Sequence, residues 1–164
     1  ALATIMIVAD GGPKAGPNLH YELKDPMAAG ANPGTFDIAM AIDVFEHVED
    51  YLGFLRRIGT LAPHKIFHTP LDLSVQMVAR ATPIQRKRDT VGHIHYFTKE
   101  TALATLRDAG HEIIDHQYTA GTVELPSAGW KSAATKVPRR LAYRLHPDLA
   151  VRVLGGYSLL VLTR

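Results

Sequence analysis

The chain has 164 residues, 46% of them hydrophobic, enough for one domain that buries roughly 70% of the surface its unfolded form exposes. A formal charge of +2 and no basic run longer than Arg86-Lys87-Arg88 give no footprint for nucleic acid. The lack of cysteine excludes a disulfide framework, a thiolate metal site and a catalytic cysteine, and fits a reducing, cytoplasmic setting. No apolar stretch reaches the ~20 residues of a membrane span, and the start has no basic n-region.

In chain order, Ala1 to Asp10 centres on the apolar run Thr4-Ile5-Met6-Ile7-Val8, which fits either a buried strand or a helix face and stops at Gly11-Gly12-Pro13. Asn18 to Lys24 alternates Leu19, Tyr21 and Leu23 with His20, Glu22 and Lys24, the period of a half-buried strand, and ends at Asp25-Pro26. Phe36 to Val44 is almost wholly apolar, as a strand covered on both faces is, and Glu49 to Leu61 has helical spacing through Leu52, Leu55 and Ile58. Lys65 to Leu73 reads as a strand, and Ser74 to Arg88 as a helix interrupted near Pro83. Thr98 is a helix N-cap with acid in the first turn, and Gly110 is the stop. His111 to Thr119 is a strand, a loop holds Trp130, Val137 to Val153 is helical, and Tyr157 to Thr163 is a last strand after Gly155-Gly156.

Strands alternating with helices predict an α/β fold, a mainly parallel sheet with helices on both faces, in a single domain over residues 1–164. In such sheets ligands bind beyond the carboxyl ends of the strands. That rim is where Asp25 and the group Asp43, Glu46 and His47 fall. The same acids also suit plainer tasks, Asp25 capping a turn and Glu46, Glu49 and Asp50 favouring the positive end of the next helix.

The stretch "FDIAMAIDVFEHVEDYLGFLRRIGTLAP" resembles the fourth strand and following helix of class I S-adenosylmethionine-dependent methyltransferases, in the small-molecule branch that reads acid, then Glu-His-Val. In order, "NLHYELKDP" is similar to the third strand with its terminal Asp, "GHIHYFTKETALATLRDAGHEIIDHQYT" to the later helix and sixth strand, and "GGYSLLVLTR" to the closing strand. The resemblance implies a Rossmann-like methyltransferase fold with S-adenosylmethionine as cofactor. Asp25 would hydrogen-bond the adenine amino group, Met27 would pack on the ring, and Ile42, Asp43 and His47 would line the methionine and methyl-donor side. The family's Gly-rich turn is not found, because "TIMIVADGGPKAG" lacks its glycine spacing and places Pro13 in the loop. The chain is therefore expected to correspond to the C-terminal two-thirds of the fold, with Ala1 to Asp10 as the helix after the second strand. Cofactor binding by this chain alone is expected to be weak.

The chemistry implied is methyl transfer to the hydroxyl or amine of a small molecule, with His47 as base and Glu46 or Asp43 orienting its ring. A second use of the same residues is a divalent-cation site, since Asp43-x-x-Glu46-His47 is similar to the Glu-x-x-Glu-His set of some methyltransferases. His68 or His93 would complete that set. A metallohydrolase is disfavoured: His93-x-His95 shares one face of an extended segment, but no HExxH helix or Gly-x-Ser-x-Gly elbow accompanies the nine histidines. Arg86, Lys87 and Arg88 read as a solvated helix end, outside the site. The alternative to an enzyme is an interaction module of methyltransferase ancestry that no longer binds the cofactor.

Overall fold

In the computed structural model the described residues are 5–8, 20–23, 36–80, 82–120 and 130–164, with side chains described from 36 onward except at 130–137. The chain divides into two units, Ala1–Thr35 and Phe36–Arg164. In the first, β1 (Ile5–Val8) pairs antiparallel with β2 (His20–Leu23), Ile5 opposite Leu23. The ambiguous N-terminal run is thus a strand and not the expected helix. Its β-branched residues suit a pleated ladder better than helical turns.

The second unit is built on a four-stranded sheet in the order β3 (Ile38–Ile42), β4 (His64–Pro70), β6 (Ser158–Thr163), β5 (Ile113–Thr119). β3 and β4 are parallel, while β6 runs antiparallel to both β4 and β5. The α/β reading holds, and its four expected strands are neighbours. Over these strands the sheet is mixed, because the last strand enters between β4 and β5 from the opposite end. Strand direction leaves no mark on an apolar run.

Helix α1 (Tyr51–Gly59) starts where the Asp50 carboxylate accepts the Gly53 N–H at 2.9 Å and buries Phe54, Leu55 and Ile58. A Cβ at Gly53 would stand 2.1 Å from an Asp50 carboxylate oxygen, so a larger residue there displaces the capping side chain. The stretch read as one interrupted helix is α2 (Val75–Arg80) and α3 (Thr82–Val91). Helix α4 (Lys99–Asp108) opens on a complete capping box between Thr98 and Thr101. Helix α5 (Trp130–Leu145) begins earlier than expected, so Trp130 opens a helix and is not in a loop. Pro147 then starts a separate helix, α6 (Pro147–Leu154). A proline has no N–H to continue the preceding ladder but is suited to a first turn. The core between sheet and helices is made of Phe45, Leu55, Phe67, Leu106, Leu159 and Val161.

Candidate functional site

Residue 43, immediately after β3, has a left-handed backbone, φ +50°. Aspartate tolerates this region better than most side chains, and the turn swings the chain out over the carboxyl ends of the strands. The Asp43 N–H donates to the His68 carbonyl at 2.9 Å, and its carboxylate meets His68 Nδ1 at 2.7 Å. On the other side of the ring, His68 Nε2 lies 2.7 Å from the Thr119 hydroxyl. Asp43, His68 and Thr119 thereby tie together the exits of β3, β4 and β5.

The next residues, Phe45–His47, form a single 3₁₀ turn. Phe45 is fully buried, with ring centroids 6.4 Å from Phe67 and 5.1 Å from Phe97, and this plug fixes the turn. It also draws Glu46 inward. Glu46 is 0% exposed and neither of its carboxyl oxygens has a hydrogen-bond partner. Burial, reinforced by the negative charges of Asp43 and Asp72, pushes its carboxyl up to about 8. At neutral pH it is therefore mainly the uncharged acid.

The main chain of Glu46 anchors the loop after α3: its carbonyl accepts the N–H groups of Ile94 and His95, at 2.9 and 3.0 Å. This docking carries two further residues to the site, Gly92 and His93. The Gly92 carbonyl lies 3.1 Å from His47 Nδ1; a carbonyl only accepts, so Nδ1 carries a proton, and in the neutral ring Nε2 has the lone pair. Nε2 is 3.9 Å from Glu46 Oε1. The His93 ring packs edge-on against His47 with centroids 4.7 Å apart, and its Nδ1 donates to Asp72 at 2.8 Å. Lys87 reaches the other Asp72 oxygen at 2.5 Å. Burial acts to raise the Asp72 carboxyl, but the hydrogen bonds from His93 and Lys87 outweigh it and hold the group below the ordinary carboxylate range.

Ile42, Asp43, Glu46 and His47 thus stand together at the exit of β3, as their adjacency in sequence requires. Asp25 and Met27 lie outside the described residues. The His47 ring is held by Gly92, while Asp43 is engaged by His68. A different set also gathers as potential cation ligands: Glu46, His47 and His93 offer ligand atoms within 4.8 Å of one another, and Asp43 is not among them. Lys87, read as part of a solvated helix end, turns inward to Asp72. Sequence reasoning missed Asp72 and Gly92. The signal for Asp72 was available, since it is an acid just past a buried strand, as Asp43 is.

Beside this cluster lies a cleft of about 810 Å³ between the strand exits and helices α2, α3 and α5, reached by Asp43, Asp72, Arg80, Arg86, Arg139 and Tyr157 among others. His47 and Glu46 do not line it. Among the described residues no helix is long and apolar enough to cross a membrane.

Residues 6–116 match the family model described as "Methyltransferase domain". No curated protein matches the chain. Among solved structures, the [4+2]-cyclase SpnF is similar at a TM-score of 0.51 and 18% identity over 87% of this chain and 54% of that one. An S-adenosylmethionine-dependent methyltransferase from Archaeoglobus fulgidus has a TM-score of 0.46 and 13% identity over 79% and 59% of the two chains. A putative methyltransferase from Haloferax volcanii, solved with the Trm112 activator, has 0.47 and 14% over 79% and 54%. The chain spans little more than half the length of these structures. With more than half of its residues matched by that model, the chain belongs to the methyltransferase-domain family, the class I fold whose cofactor is S-adenosylmethionine.

Proposed function

We propose that the chain serves methyl transfer from S-adenosylmethionine to a hydroxyl or amine of a small-molecule acceptor, with His47 as base. The observation that carries this reading is the hydrogen bond of His47: the Gly92 carbonyl accepts the Nδ1–H, so in the neutral ring Nε2 is the acceptor at the exit of β3. A neutral imidazole with one fixed nitrogen is the form a general base needs. When bound, the cofactor supplies an electrophilic methyl group on a sulfonium. Ile42, 45% exposed at the strand end, and Asp43 fit its methionine side, and Asp25 and Met27 would take the adenine. His47 Nε2 receives the acceptor's proton, and the imidazolium so formed lies 3.9 Å from the Glu46 carboxyl group. In a methyl-transfer assay His47→Ala is expected to lower turnover by about 10² to 10⁴ fold with no response to chelator. Turnover equal to the unsubstituted protein would overturn the base role.

The gathering of Glu46, His47 and His93 favours a second reading, a divalent cation bound near the acceptor. Both histidines have the outer partners that ligating imidazoles usually have, the Gly92 carbonyl and the Asp72 carboxylate. Under this reading Glu46→Ala and chelator each abolish activity, Zn²⁺ or Mg²⁺ restores only the unsubstituted protein, and Zn²⁺ binding releases the Glu46 proton.

A further inference from the structure

The cleft beside the His47 cluster has an unusual balance of charge. Its two acids are already engaged, Asp72 by Lys87 and His93 and Asp43 by His68. Its three guanidinium groups are not matched in this way. Among the described residues Arg80 bonds to Gln76, through the carbonyl and amide oxygens of that residue. Among the described residues no carboxylate forms an ion pair with Arg80, Arg86 or Arg139. Three like charges that converge on one concavity repel each other, and an anion between them relieves the repulsion. Guanidinium forks suit planar or tetrahedral oxyanions, which they bind through paired N–H donors.

The floor of the cleft is of a different nature. Leu71 and Tyr157 are buried in it, and Met77 and Pro83 add apolar wall. A volume of about 810 Å³ falls within the ordinary range of small-molecule sites and is too confined for a duplex or a protein surface. The cleft therefore has an apolar body and a cationic mouth.

We infer that this cleft binds a small molecule with an apolar body and an oxyanion head, a carboxylate or a phosphate, with Arg86 and Arg139 as the residues that grip the head. Its assignment as the acceptor's subsite rests on the methyl-transfer reading above. Because Asp43 borders both, an acceptor held by its anionic end lies next to the exit of β3.

Calorimetric titration with phenyl phosphate, benzoate and phenol tests this without any turnover. Phenyl phosphate and benzoate are expected to bind saturably and phenol at least tenfold more weakly, and whichever anion binds tighter identifies the head group. Arg86→Gln and Arg139→Gln should each weaken the anions at least tenfold and leave phenol unchanged. Arg86→Lys should recover part of the loss, and Arg56→Gln on α1 should change nothing. Far-UV circular dichroism and melting temperature verify that each variant is folded. Equal binding of phenol and benzoate, or wild-type affinity in both glutamine variants, would overturn the inference. So would competition between S-adenosylmethionine and phenyl phosphate, which would make the cleft the seat of the cofactor's own carboxylate. Anion binding that depends on Arg86 and Arg139, together with turnover in a methyl-transfer assay that His47→Ala leaves unchanged, would stand for the oxyanion cleft and count against the methyl-transfer reading alone.

Discussion

Gly92 decides the state of His47 without touching the chemistry. Its φ of +78° aims its carbonyl at His47 Nδ1, and only glycine takes that conformation without steric cost. A Cβ at this position would have room, 3.7 Å from His47 Nδ1, so the penalty in Gly92→Ala is conformational and amounts to about 1 to 2 kcal/mol. If the peptide turns to relieve it, the carbonyl leaves and the ring is released to either tautomer. The ¹⁵N chemical shifts of the His47 ring are expected to show the Nδ1–H form in the unsubstituted protein and a mixture in Gly92→Ala. A pure Nδ1–H form in both proteins would show that another group holds the ring. Asp43 is the counterpart at the strand exit, an acid in a left-handed turn whose side chain His68 claims.

Among the elements, α4 is the one whose two ends are written most openly. Thr98 and Thr101 exchange hydrogen bonds at 3.2 and 2.9 Å, and Gly110 at φ +94° turns the chain back. Thr98→Ala removes one half of that box and should lower unfolding free energy by about 1 kcal/mol in urea titration, while Thr98→Ser should stay near the unsubstituted value. Such chemical stops made α4 legible, and the apolar run made β3 legible as a strand, but not as one covered on both faces: β3 ends the four-stranded sheet and leaves Ile38, Met40 and Ile42 exposed among the described residues. Helix α5 has no comparable signal: Trp130 is no cap, and Pro138 lies within the helix although proline more often opens one. Residues 131–136 hold two alanines and two lysines, good helix formers that a propensity sum would have weighed. The site follows the same logic. Asp43, Glu46 and His47 are neighbours in sequence and could be read as a group, with His93 as one candidate addition, whereas Gly92 and His93 reach them because the loop after α3 docks on the Glu46 carbonyl, and Asp72 joins through His93. The antiparallel entry of β6 was equally hidden, since hydrophobic periodicity carries burial but not direction.

On the scale of the molecule, two buried groups shape stability against pH, with opposite signs. Burial lowers the affinity of His111 for a proton although its Nε2–H donates to the Leu55 carbonyl at 3.0 Å. The unfolded chain therefore binds that proton more readily, and stability falls as pH drops below the ordinary histidine value of 6.5. Glu46 acts the other way. Its carboxyl titrates near 8 in the native state against 4.5 unperturbed, so between those values the native protein holds up to one proton more than the unfolded chain. Unfolding free energy then declines with rising pH by at most about 1.4 kcal/mol per unit. Above 6.5 the His111 contribution, of opposite sign, fades and is common to the unsubstituted protein and a Glu46 variant, so the difference in slope between them reports on Glu46. Glu46→Gln removes the titration while preserving shape. It leaves buried amide N–H groups without partners, which lowers stability by about 1 to 3 kcal/mol at every pH and does not alter the slope. Urea unfolding at intervals from pH 6.5 to 8 is thus expected to show a declining profile for the unsubstituted protein and a shallower one for Glu46→Gln. Parallel profiles would mean that Glu46 is already ionised at neutral pH, with a partner for its charge inside the fold.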